Sequence, residues 1–186
     1  MSISVSQLKP SLTIEYNKQP YIILESEHVK MARGSSFVRA KIKNLITSQI
    51  LSCTLRDSDK VKTAFVERKK LIFSYKEGGR YHFLDADSYQ DFILHKELLE
   101  DKAKYLKENL ELAGLFYKDK LINLELPTSI TLEVVETDPG FRGNTVKSGT
   151  KPAKLETGLV VEVPLFIKNG DQIKIDTRNQ QYLERV

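Results

Sequence analysis

The 186-residue chain has no tryptophan, one cysteine and three histidines. A single cysteine, Cys53, excludes an internal disulfide framework and leaves no cysteine pair for a structural zinc. The histidines, His28, His82 and His95, are scattered, and none has a second histidine four residues away, so the helical zinc-protease pattern is missing too. There is no Walker-type phosphate loop, no G-x-G-x-x-G after a strand and no serine in G-x-S-x-G. These gaps argue against nucleotide hydrolases, dinucleotide enzymes and serine hydrolases. Apolar runs are short, and none approaches the ~20 residues a membrane-spanning helix needs. The opening Met1-Ser2-Ile3-Ser4-Val5 lacks the charged start and apolar core of a secretory signal, so the expected location is the cytoplasm, with no membrane partner.

What is present is a balanced composition, 40% hydrophobic and 29% charged, with a net charge of +4. The cationic surplus is not spread evenly. Residues 1–64 hold ten lysines and arginines against five acids, while the remaining two thirds are close to neutral. No acidic residue occurs from His28 to Leu55. Within this region Tyr21–Leu24 and Phe37–Lys43 read as strands joined through Lys30-Met31-Ala32-Arg33-Gly34-Ser35-Ser36, with Gly34 free to take a positive φ. The second run alternates: Val38, Ala40 and Ile42 point one way, and Arg39, Lys41 and Lys43 the other. A projecting hairpin with a row of cations suits a polyanionic partner, and a solvated basic face is the plainer alternative.

Most of the remainder reads as short strands with turn signals between them, the pattern of small antiparallel barrels. Expected strands include Thr13–Tyr16, Ile50–Leu55, Lys62–Val66, Lys70–Lys76, Arg80–Leu84, Leu115–Lys118 and Lys120–Leu126. Glu77-Gly78-Gly79 is a hairpin turn, and a helix is expected around Tyr89–Asp101. Ile130–Val135 opens the last third, a polar loop runs from Glu136 to Lys154, and Gly158–Val163, Leu165–Ile167, Gln172–Asp176 and Tyr182–Arg185 follow as strands. The natural partition is three units: 1–64, 65–127 and 128–186.

Chemistry-bearing clusters are few. Asp85, Asp87 and Asp91 could bind a cation or act as paired carboxylates, but acids before an expected helix are ordinary caps. Cys53 sits in an apolar run and reads as an inert thiol. Tyr81, Phe83, Tyr89 and Phe92 lie among cations and suit either core packing or base stacking. No enzyme is expected.

The most specific wording lies in the last third, in Thr137-Asp138-Pro139-Gly140-Phe141-Arg142-Gly143-Asn144-Thr145 and onward through Gly170-Asp171 to Thr177-Arg178. With Gly78-Gly79-Arg80-Tyr81-His82-Phe83-Leu84-Asp85, the basic hairpin and the chain length, these strings closely resemble bacterial elongation factor P over essentially the whole chain. The resemblance implies an all-β protein: three small barrels in an L shape, an N-terminal SH3-like (KOW-type) barrel followed by two OB-folds. The first two are similar to the archaeal and eukaryotic hypusine-bearing initiation factor.

It further implies a monomeric, cofactor-free translation factor that binds the 70S ribosome beside the P-site peptidyl-tRNA, between the P and E sites. There it promotes peptide-bond formation at polyproline stalls. A general single-strand nucleic-acid-binding OB-fold protein is the alternative. By resemblance Lys30, Arg33, Gly34, Arg39, Lys41 and Lys43 meet tRNA and ribosomal RNA, while Arg142, Gly143, Asn144, Thr145, Tyr182 and Arg185 face the anticodon side and the small subunit. Many family members carry Pro-Gly-Lys-Gly at the tip, with an extended lysine; here Met31-Ala32-Arg33-Gly34 stands instead. An arginine tip resembles the subgroup whose arginine is rhamnosylated, which makes Arg33 the modification candidate and an arginine rhamnosyltransferase a partner. Asn144 stands where the family usually has aspartate and adds hydrogen-bond donors.

Overall fold

The computed structural model describes residues 2–29, 36–56, 59–139 and 149–186. Period-two alternation organises almost all of them, and the strands fall into three antiparallel sheets. The first contains β1 (Ser2–Ser4), β2 (Thr13–Tyr16), β3 (Gln19–Val29), β4 (Phe37–Asn44), β5 (Ile50–Arg56) and β6 (Lys60–Thr63), in the order β1-β6-β2-β3-β4-β5. The second contains β7 (Val66–Glu77), β8 (Arg80–Asp85), β9 (Asp91–His95), β10 (Glu111–Tyr117) and β11 (Lys120–Glu125), ordered β11-β10-β7-β8-β9. The third contains β12 (Ser129–Thr137), β13 (Thr150–Leu155), β14 (Val160–Pro164), β15 (Gln172–Asp176) and β16 (Tyr182–Arg185), ordered β14-β13-β12-β15-β16.

Tight turns set the registers. Gly78 and Gly79, with φ of 53° and 82°, join Glu77 to its partner Arg80. Two positive φ values in succession match the right-handed twist of the flanking strands, and glycine takes them without a Cβ clash. Asn17-Lys18 and Lys118-Asp119 make the same kind of two-residue connection without glycine.

Compact packing divides the chain into two units, Met1–Lys69 with Gly114–Asn123, and Lys70–Ala113 with Leu124–Val186. In the first, Val38, Ala40 and Ile42 from β4 pack with Val5, Leu8, Ile14, Tyr21 and Ile23. A smaller cluster joins Ala64, Tyr117 and Ile122. Beside it the Tyr117 hydroxyl donates to the Glu15 carboxylate, which also takes Lys118 Nζ at 3.0 Å. These two donors hold the Glu15 carboxyl below its usual range, while burial and the neighbouring carboxylate push the Tyr117 phenol up. In the second unit, Ile130, Leu132 and Val134 of β12 meet Ile173 and Ile175 of β15 and Val161 and Val163 of β14. Tyr105 joins that core from outside the sheet.

Several expected elements differ. The helix expected around Tyr89–Asp101 is a strand, β9, then the four-residue α1 (Lys96–Leu99), then a 3-10 segment Glu100–Tyr105. Leu94 is buried while Ile93 and His95 on either side face outward, a spacing of two that ladder pairing with β8 secures. Asp85 therefore caps no long helix. Its Oδ1 accepts the backbone N–H groups of Asp87 and Ser88 at 3.0 and 2.8 Å, closing the β8–β9 turn.

The segment 150–154, expected inside a loop, is most of β13. Lys151, Ala153 and Leu155 alternate inward there, and Lys151 Nζ donates to the Asp138 carbonyl at 2.5 Å. A lysine at an inward position and Pro152 within the strand masked the period. Leu165–Ile167, expected as a strand, is a turn in which Ile167 is fully buried and Phe166 is exposed.

Candidate nucleic-acid interface

The β3–β4 hairpin carries the cation row. Its two strands pair from Tyr21↔Asn44 out to Val29↔Phe37, with a register shift between Ile23 and Glu25. Lys30, Arg33 and Gly34 lie in 30–35, outside the described residues. On β4, Arg39 and Lys41 are exposed, Lys43 is half-buried, and the intervening Val38, Ala40 and Ile42 fill the core. The pleat enforces that division: side chains at alternate positions leave the sheet on opposite faces.

The neighbours of these cations are not visible in the local sequence. Glu27 stands directly opposite Arg39, and Glu25 opposite Lys41, with Lys41 Nζ 3.5 Å from Glu25 Oε1. On the other side β5 places Thr54 opposite Arg39, Ser52 opposite Lys41 and Ile50 opposite Lys43. Glu25, Glu27, Arg39, Lys41, Ser52 and Thr54 line a shallow groove of about 530 Å³. The arrangement is a ladder of cations and hydroxyls edged by carboxylates. Guanidinium, ammonium and hydroxyl groups suit phosphate oxygens, and the flanking acids lower the net attraction at Arg39 and Lys41 relative to Lys43. The Arg39 guanidinium also lies 5.6 Å from the centre of the Phe37 ring, which restrains it.

Ser52 and Thr54 lie on the exposed side of β5, and pairing with β4 brings them beside the cations. Cys53 is half-buried between them and packs on the first core, and burial raises its thiol above the usual value. That suppresses the thiolate and fits an inert side chain.

The last-third residues separate differently. Arg142, Gly143, Asn144 and Thr145 fall in 140–148, outside the described residues. Tyr182 and Arg185 both sit on β16, where Tyr182 packs against the core of the second unit. Arg185 lies 5.7 Å from the Phe166 ring centre and 3.8 Å from the Asp171 carboxylate. Nearby, Asp176 accepts the Arg178 backbone N–H and its guanidinium, with contacts of 2.8, 3.0 and 2.5 Å. The guanidinium above all, then the backbone N–H, lowers the Asp176 carboxyl to about 2. Asp176 is thus a structural brace for the β15–β16 turn.

Of the acidic trio, Asp85 closes a turn and Asp91 binds His82 Nδ1 at 3.0 Å. Among the described residues no group of three or more histidine, cysteine or acidic side chains is placed to hold a metal ion. Likewise, no described helix is long and apolar enough to cross a membrane.

Residues 4–61 match the elongation factor P KOW-like domain, 66–124 the elongation factor P OB domain, and 130–185 the C-terminal domain of elongation factor P. Among curated relatives, elongation factor P of Dictyoglomus turgidum is 49% identical over 183 residues, covering 98% of this chain and 99% of that protein. Elongation factor P of Moorella thermoacetica is 45% identical over the same length and coverage. Among solved structures, eukaryotic translation initiation factor 5A from Methanococcus jannaschii shares the fold, with a TM-score of 0.57 at 15% identity. It covers 68% of this chain and 92% of that one. An all-β chain with a KOW-like N-terminal domain and OB domains, related throughout to such proteins, is a translation factor rather than an enzyme. It belongs to the elongation factor P family.

Proposed function

We propose that this chain binds the ribosome beside the P-site peptidyl-tRNA, between the P and E sites, and promotes peptide-bond formation at consecutive prolines by positioning the CCA end. The observation that carries the reading is the β3–β4 hairpin. It holds Arg39, Lys41 and Lys43 on one outer face and leads directly into the segment with Lys30, Arg33 and Gly34. Phosphate contacts from such a row give affinity with little sequence preference and a marked salt dependence. Arg33 then does the positioning. Proline is a poor nucleophile, and holding two reactants in productive geometry can lower a barrier by several kcal/mol, with ~7–11 as the ceiling in ideal systems. No side chain need act as acid or base.

Arg33 places the chain in the arginine-tip subgroup, and an arginine rhamnosyltransferase would attach a rhamnose there. The three modules 1–64, 65–127 and 128–186 serve as a docking frame. The first lies along the acceptor arm, and the third meets the anticodon side through residues 142–145, Tyr182 and Arg185. The protein acts as a cytoplasmic monomer on the 70S ribosome. Replacing Arg33 with alanine is expected to slow synthesis of a Pro-Pro-Pro reporter and to spare a proline-poor one; equal slowing of both would sink the proposal. Intact mass spectrometry of protein from its native cell reports the sugar on Arg33 directly.

A further inference from the structure

Phe166 is 56% exposed, although its neighbour Ile167 is fully buried. The turn that carries both is fixed on two sides. The Ile167 N–H donates to the Pro164 carbonyl at 3.1 Å, and the Leu165 N–H donates to the Gly149 carbonyl at 3.2 Å. With Ile167 anchored in the core, the Phe166 ring is turned outward on a backbone held in place. A large apolar ring left in water gains nothing from burial, so its use lies in what rests on it.

The Arg185 guanidinium lies over that ring, its Cζ 5.7 Å from the centroid. Asp171 Oδ2 is 3.8 Å from Arg185 Nη1, and the same oxygen accepts the Lys168 N–H at 2.8 Å, so the carboxylate is itself fixed. At 3.8 Å the carboxylate attracts without taking a hydrogen bond, and the contact spends none of the fork's donors. Pairing of Arg185 with Ile173, and the Val186 N–H donating to the Gln172 carbonyl at 2.8 Å, tie β16 down at this point. A half-exposed arginine is thus held at its root by the ladder and at its head by a ring and a carboxylate. Thr150 pairs with Pro164, and β12 runs on past Glu133, opposite Gln172, to Thr137. The ends of β12 and β13 that flank 140–148 therefore lie at the same end of the third sheet as Phe166 and Arg185.

We infer that Phe166 is a positioning residue: its ring, with Asp171 as a brace, holds the Arg185 guanidinium ready to fork onto a phosphate of RNA. The inference rests on the proposed contact of Arg185 with the anticodon side of the P-site tRNA. An unrestrained arginine loses rotamer freedom when it meets phosphate. One already laid on an aromatic face and steered by a fixed carboxylate loses less, and the difference appears as affinity.

The test measures binding of labelled full-length protein to 70S ribosomes carrying P-site tRNA. It compares the parent with Phe166→Leu, Phe166→Tyr, Arg185→Gln and the Phe166→Leu, Arg185→Gln double variant. Arg185→Gln is expected to weaken binding about tenfold. Phe166→Leu, which keeps an apolar side chain but loses the ring, should weaken it about two- to fivefold, and Phe166→Tyr should restore it. In the Arg185→Gln background Phe166→Leu should change nothing, because the ring acts only through the guanidinium. NMR of the Arg185 Nε–H, assigned by its loss in Arg185→Gln, should show a ring-current shift in the parent that disappears in Phe166→Leu. Parental binding by Phe166→Leu beside a weakened Arg185→Gln would overturn the inference and leave the Arg185 contact standing. Equal weakening by Phe166→Leu with and without Arg185 would also overturn it. Parental binding by Arg185→Gln would remove the contact itself, and the inference with it. If Phe166→Leu fails to fold, Phe166→Met makes the same comparison, and an unshifted Arg185 Nε–H in the parent overturns the inference alone.

Discussion

Replacing Glu25 and Glu27 together with glutamine should tighten RNA binding, although neither residue is a cation. Both stand across the ladder from the cations that are proposed to hold phosphate, Glu25 facing Lys41 and Glu27 facing Arg39. The Lys41–Glu25 pair spans 3.5 Å with side chains 45% and 74% exposed, so solvent screens it heavily. Exposed pairs of this kind contribute roughly 0.2–1 kcal/mol. Taking ~0.5 kcal/mol for each cation released, affinity rises about twofold per carboxylate removed and about fivefold for the double variant. The salt dependence should steepen as well, by up to ~0.7–0.9 in log K against log salt for each cation made available. Lys43 is the internal control. It faces Ile22 and Ile50, not an acid, so Lys43→Gln should weaken binding equally in the parent and in the double variant. Fluorescence anisotropy of labelled tRNA, measured over a range of salt with melting temperatures alongside, reads all three quantities. Unchanged or weaker binding by a stably folded Glu25→Gln, Glu27→Gln protein would refute the idea that this face meets phosphate.

Leu132, fully buried in the core of the second unit, should cost about 2–5 kcal/mol when cut to alanine, measured by denaturant unfolding. Asp176 should shape the acid limb of stability. Its carboxyl is lowered from 3.8 to about 2, so its contribution is complete above 3.8 and is lost as pH falls through about 2. Asp176→Asn should therefore flatten the acid-unfolding curve over that window and lower stability near neutral pH. Tyr117→Phe removes the hydroxyl that holds the Glu15 carboxyl down, so carboxyl-detected NMR should show Glu15 titrating higher, still below its usual range because Lys118 remains.

Local pattern reads well where a strand's two faces differ in kind. In β4 each of Val38, Ala40 and Ile42 is followed by a cation. The Gly78-Gly79 turn was equally legible because its backbone needs two positive φ values in succession. The reading failed where a side chain contradicted its face. Lys151 points inward on β13 and survives there only because the Asp138 carbonyl takes its ammonium. Residues 91–101 failed for another reason: Phe92, Leu94, Leu98 and Leu99 fit neither period, and pairing with β8 decided in favour of a strand over the first half. The candidate sites divide the same way. Arg39, Lys41 and Lys43 announce themselves by alternation, whereas Glu25, Glu27, Ser52 and Thr54, which stand beside them, come from the two neighbouring strands and are gathered only by pairing.

By itself, then, the sequence determined the class: an all-β chain whose excess positive charge lies in its first 64 residues, worded throughout like an elongation factor P. These follow from spacing, composition and family strings, all of which survive without a partner strand in view. Tertiary structure decided which groups face one another. Whether Lys41 meets a carboxylate or open solvent depends on the register of β3 against β4, including the irregularity between Ile23 and Glu25. One residue of slip would send every side chain of a strand to the other face, and no stretch of chain read alone fixes that alignment.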